Sequence, residues 1–170
     1  MRLSIVRSQQ PLPPIARLAL PVVSIMLGSL LVLIPVIATV PVVPSFGFLM
    51  LLGWRLLRGD LIAPWAGIPL GLFDDLFSGA PLGTGMASWT FALLVIEAID
   101  RRVLFRDAWQ DWGIAAGLIA MQLLMAWALS GLTGAIPYPY LLAPQWLCSI
   151  LCYPLAVRLA AWLDRRRTGR

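Results

Sequence analysis

Two adjacent carboxylates stand in an otherwise apolar stretch, Gly67-Ile-Pro-Leu-Gly71-Leu-Phe-Asp74-Asp75-Leu-Phe-Ser-Gly79-Ala-Pro81-Leu82-Gly83. A charged aspartate at membrane depth costs at least about 2.5–3.5 kcal/mol, so it needs a partner or a function. Neighbouring residues on a helix point about 100° apart, so Asp74 and Asp75 cannot face one bond from two sides. A glycosidase or aspartic-protease dyad is therefore not indicated. The chain has no histidine and two cysteines. That removes Ser–His and Cys–His nucleophile pairs and most zinc sites. No catalytic residue, metal or cofactor is expected, and the chain reads as a non-enzyme.

Three readings of the aspartates stay open. Asp75 can accept backbone N–H bonds from the Ser78–Gly83 turn, or from the start of the next helix, whose positive dipole end lies there. It would then lock two helices together. Alternatively, one aspartate faces a groove that takes a partner helix or a small ligand, with Trp54, Pro69, Asp74 and Trp89 as its candidate walls. The third reading is proton or ion coupling, for which the chain offers few relay residues.

Small residues recur at helical spacing. Gly67 and Gly71 are four apart, as are Gly113 and Gly117, a spacing that lets helices approach closely in lipid. The contact could lie within the bundle or against another protein's helix. Pro69 is expected to free a backbone carbonyl and kink its span. Glu97 and Arg101 are spaced to pair along a helix, and Gln122 to bond a neighbouring helix. Cys148, Cys152 and the methionines read as packing.

The elements that must hold these residues follow from composition. Of 170 residues, 60% are hydrophobic and 12% charged, where a soluble domain carries about 25% charged residues. Mean hydropathy is +0.86. A disordered chain and a soluble nucleic-acid-binding domain are excluded. The expected fold is all-α and polytopic: six transmembrane helices in one bundle, a single membrane domain over residues 1–170. The spans read as 18–39, 42–57, 61–78, 82–99, 112–132 and 140–163. The first is too long for the apolar part of a signal peptide and reads as a retained span.

All 13 basic residues are arginines. Arg2, Arg7 and Arg17 precede span one, Arg55 and Arg58 follow span two, and Arg101, Arg102 and Arg106 follow span four. Arg158 lies in the last turns of span six, and Arg165, Arg166, Arg167 and Arg170 follow it. With six spans, every arginine falls on one side. The positive-inside rule makes that side cytoplasmic, with both termini inside. The basic balance is thus a topology signal and an attraction to anionic membrane lipid, not a nucleic-acid patch. Trp54, Trp65, Trp109, Trp112, Tyr138, Tyr140, Trp146 and Trp162 lie near span ends, as in an aromatic belt.

The stretch from Pro64 to Gly83 resembles the MreD family of rod shape-determining proteins. Gly71 and Asp75 hold that family's Gly-to-Asp spacing, followed by Gly79 and Leu82-Gly83 at the family's offsets. Leu52-Gly53-Trp54-Arg55 is similar to the end of its second span, with Gly53 in place of an aromatic. Asp74 is an extra acid beside the motif. The resemblance implies a structural or partner-binding role for Gly67, Gly71, Asp75, Gly79, Leu82 and Gly83. It implies a multi-pass subunit of the bacterial inner membrane that works in cell elongation and in the regulation of cell shape and peptidoglycan synthesis. The expected partner is a bitopic MreC-like protein, with indirect links to MreB, RodA and penicillin-binding protein 2. It also implies a bundle resembling the substrate-binding subunits of energy-coupling-factor transporters. The alternative function is such a subunit, binding a small vitamin-like solute.

Overall fold

A computed structural model describes residues 14–33, 43–102, 107–132 and 142–168. Among these the chain is all-helical. Six α-helices follow in order: α1 Pro14–Leu30, α2 Phe46–Leu57, α3 Gly67–Ser78, α4 Thr84–Asp100, α5 Ala108–Leu132 and α6 Leu142–Thr168. The end of the expected first span and the start of the sixth, with Tyr138 and Tyr140, lie outside the described residues. So do Arg2, Arg7, Arg106 and Arg170.

α2 is the centre of the molecule. It is apolar around its whole circumference, and every residue from Gly47 to Arg55 is buried, as expected for a helix surrounded by others. The other five pack around it in the order α1, α3, α4, α5, α6. The pairing of α3 with α4 is the most extensive, and that of α6 with α1 is the thinnest. The core gathers Phe48, Leu52 and Trp54 of α2 with Trp89, Leu93 and Ile96 of α4. The outer faces stay apolar: Leu76, Leu94, Leu124, Leu151 and Leu155 are exposed.

Helix lengths modify the expected six spans. α5 and α6 are long and apolar enough to cross a membrane, whereas Leu18–Leu33 and Phe46–Leu57 are shorter apolar helices. α2 and α3 have 12 residues each, about 18 Å of helix against a hydrocarbon core of about 30 Å. The expected third span, 61–78, is not one helix. It begins in a turn, passes through a 3-10 turn at Pro64–Ala66, and becomes α-helical at Gly67. Pro69 therefore does not kink a span at mid-length. It sits in the first turn of α3, where a missing N–H costs little: the carbonyl four residues back, Trp65, lies before the helix and accepts from Gly67 instead. α6 instead runs past its expected end at residue 163 through Arg165 and Arg166.

The ion pairs collect at one end. Arg55 Nη1 lies 3.2 Å from Asp100 Oδ2 and also donates to the Gly59 carbonyl. Arg58 donates from Nε and Nη2 to Asp164 Oδ2, at 3.2 and 2.9 Å. Arg101 pairs with Glu97 at 2.6 Å, the pairing their spacing suggests. These contacts join the C-terminal ends of α2, α4 and α6, so those three helices run the same way.

Burial separates the three pairs in energy. Asp100→Ala leaves the buried Arg55 guanidinium, 5% exposed, without its carboxylate, which should lower stability by about 3 kcal/mol. Arg101→Ala breaks an exposed pair and should change stability by less than about 0.5 kcal/mol. Unfolding of both variants in detergent, followed by circular dichroism, checks the difference.

Candidate functional site

Three of the residues singled out in the sequence lie on one stripe of α3. Gly67, Gly71 and Asp75 are each one turn apart and all face α4. A Cβ added to Gly71 would lie 2.5 Å from the Gly85 carbonyl group, and one added to Gly67 would lie 2.7 Å from Thr90 Cα. The two helices therefore touch backbone to backbone, and only glycine fits at these points. The first Gly-x-x-x-Gly pair is thus a contact inside the bundle. The second is different: a Cβ at Gly113 or Gly117 would meet nothing within 4 Å.

Asp75 completes the stripe. Its Oδ1 accepts the Gly85 N–H at 2.7 Å, and Oδ2 accepts those of Gly83 and Met86 at 2.9 and 3.4 Å. The reason lies at the start of α4. The first amides of a helix have no partner within it, and a side chain at the N-cap normally supplies one. Here the N-cap is Gly83, which has no side chain. Asp75 caps α4 from the neighbouring helix, at the positive end of its dipole. Between the two helices, Gly79 (φ +69°) ends α3 and Gly83 (φ +99°) starts α4, both in the left-handed region that favours glycine. Leu82 between them is exposed. Gly67, Gly71, Asp75, Gly79 and Gly83 thus build one rigid corner.

The four residues considered as groove walls are not brought together. Trp54 is fully buried, and its Nε1 donates to Ser24 Oγ at 2.8 Å. Trp89 is also fully buried, with its ring centroid 5.9 Å from that of Phe48. Both fill the core, Trp54 between α2 and α1 and Trp89 against Phe48 of α2. Pro69 lies on the outer side of α3, beside Leu18, Val22 and Phe73. Asp74 opens onto a separate, polar cavity.

That cavity, about 200 Å³, lies at the end of the bundle opposite the arginines. Ser29, Ser45, Asp74, Ser88, Gln122 and Gln145 are among its lining residues. It therefore draws on all six helices: the C-terminal parts of α1, α3 and α5, and the N-terminal parts of α2, α4 and α6. Gln145 Nε2 donates to the Val43 carbonyl at 3.0 Å, which ties α6 to the start of α2. Ser29, Ser88, Gly85 and Gln145 were not singled out in the sequence. A signal existed: each polar residue stands near the same end of its own helix, at the level of Asp74.

A second feature is apolar. Where α6 and α1 barely meet, a groove of about 910 Å³ runs along the side of the bundle. Val23 and Leu27 of α1 and Leu155 and Leu159 of α6 form its walls, with Phe46 and Met50 of α2 on its floor. It follows α1 from Ala19 to Leu31, about 18 Å of helix.

No family model, no curated protein and no solved structure matches the chain.

The two Gly-x-x-x-Gly pairs should respond to substitution in opposite ways. Gly71→Ala forces α3 and α4 apart and should cost about 1–3 kcal/mol. Gly117→Ala meets open space and should stabilise α5 by about 0.5–1 kcal/mol. Asp75→Ala leaves the buried Gly85 amide and the half-buried amides of Gly83 and Met86 without an acceptor and should cost about 2–4 kcal/mol. Thermal unfolding of the purified variants in one detergent ranks all three.

Proposed function

We propose that the chain is a non-enzymatic, multi-pass scaffold of the bacterial inner membrane, with six helices in the bilayer and both termini cytoplasmic. In this reading it serves the cell-elongation machinery by packing against a bitopic MreC-like partner. Through that partner it would link MreB filaments to RodA and penicillin-binding protein 2, and so regulate cell shape and peptidoglycan synthesis.

The observation that carries the reading is the gap between α1 and α6. It runs along about three turns of α1 and reaches Phe46 and Met50 of the central helix, with an apolar lining suited to one transmembrane helix of a partner. Helix association in lipid depends on close packing rather than on the hydrophobic effect, and an unfilled groove supplies unused packing surface. The corner built by Gly71, Gly85 and Asp75 supports the same reading. Both Asp75 oxygens are engaged by the protein itself, which suits a rigid frame. The apolar outer faces and the arginines gathered at one end agree with a membrane bundle oriented by its basic end.

The polar cavity favours the competing reading, a vitamin-binding transporter subunit. Its volume of about 200 Å³ is below the roughly 300–1,000 Å³ of pockets that hold drug-sized ligands. The scaffold reading is therefore preferred.

Tagged purification from native membranes in mild detergent tests it. An MreC-like protein and cell-wall synthases should be recovered. Leu155→Trp, which fills the groove, should lower that recovery about tenfold, a change of about 1.4 kcal/mol in affinity. Leu94→Trp, on the outer face of α4, should leave it unchanged. Recovery of ATPase subunits or a bound vitamin instead would overturn the proposal.

A further inference from the structure

We propose that the polar cavity at the Asp74 end of the bundle binds a small monovalent cation. The inference is independent of the partner that fills the apolar groove. It rests on an imbalance between the two aspartates. The charge of Asp75 is compensated by three amides at the start of α4. Asp74 is 9% exposed, and none of the ion pairs among the described residues includes it. The buried Ser29 hydroxyl is the hydrogen-bonding neighbour of Asp74 and has no other hydrogen bond. A neutral hydroxyl brings no positive charge, so the Asp74 carboxylate lines the cavity without a cation beside it among the described residues.

An uncompensated buried carboxylate costs several kcal/mol, and a cation in the cavity offsets that cost. The surrounding chemistry suits a cation rather than a neutral solute. Ser29 and Ser45 offer hydroxyl oxygens, and Gln122 and Gln145 offer amide oxygens, the hard ligands that alkali cations and protonated amines prefer. Among the described residues no arginine lines the cavity. No three Asp, Glu, Cys or His side chains gather as possible metal ligands there or elsewhere among the described residues, so one uncompensated carboxylate calls for a single positive charge. The size agrees. About 200 Å³ holds an alkali ion with several waters, each of about 30 Å³, or a small protonated amine. A bound cation would bridge the ends of all six helices at the level where Asp75 already joins α3 to α4.

The experiment uses the full chain in detergent. Its melting temperature is compared in sodium, potassium, methylammonium and N-methylglucamine chloride at equal ionic strength. At least one small cation should raise the melting temperature saturably above the value in N-methylglucamine, by about 2–4 °C. A response to sodium or potassium assigns an alkali ion, and a response to methylammonium alone assigns an amine. Asp74→Asn should abolish the difference. Ser29→Ala, which leaves the charge in place, should shift the dependence to higher cation concentration. Asp60→Asn, on the surface, should leave it intact. Equal melting temperatures of the unmodified chain in all four salts would overturn the proposal, as would a cation dependence that persists in Asp74→Asn.

Discussion

The fold depends on the contact between α3 and α4, where two helix backbones meet with no side chain between them. Glycine makes that approach sterically possible, but glycine also weakens a helix. Asp75 offsets this weakness. It caps α4 from α3, so the donors that would be orphaned at the start of one helix hold it to the other. The contact and the cap need each other. Without Gly71 and Gly85 the carboxylate could not reach the amides, and without the carboxylate the close approach would bury unpaired N–H groups. The corner fixes one wall of the bundle, and α2 packs against the face of α4 that this wall presents.

The two ends of the bundle are organised by different means. At the arginine end, ion pairs of graded burial tie α2, α4 and α6 together. At the opposite end there are no arginines among the described residues, and hydrogen bonds to backbone groups take over. Arginines at one end, and small polar groups with the two aspartates at the other, follow from the alternating direction of the helices. Each chain reversal returns the same kind of residue to the same level.

Much of this is legible in the sequence, for reasons of composition. Six apolar segments with arginines between alternate pairs give the helix order and the polarity of the bundle. The turn that follows Asp75 makes capping of the next helix one of three roles the sequence leaves open, and the amides at the start of α4 decide among them. Two things are not legible. Hydropathy does not distinguish a helix that faces lipid from one that faces other helices, because both are apolar. For that reason α2 does not stand out as the centre, and Trp54 and Trp89 look like interface or groove residues while they fill the core. Nor does hydropathy register where a helix starts within an apolar run. The stretch 61–78 is continuous in composition, yet Pro64 and the close approach at Gly67 delay α3 by six residues. The polar cavity depends on Ser29 and Gln145, more than a hundred residues apart, and only the assembled bundle brings them to one place.

The brevity of α3 has a mechanical consequence for a surrounding bilayer. Ile68, Leu72 and Leu76 present an exposed apolar face on a helix of 12 residues, about 18 Å tall. α5 and α6, on another side of the same bundle, have faces tall enough for a full hydrocarbon core. Lipid around the molecule would meet a short wall on one side and a tall one on another. Such hydrophobic mismatch is relieved by local thinning of the bilayer or by association. The bundle would thus act as an asymmetric wedge, with thinned lipid along α3. Neighbours with equally short apolar faces would gather there, because sharing the thinned patch reduces the deformation each imposes alone.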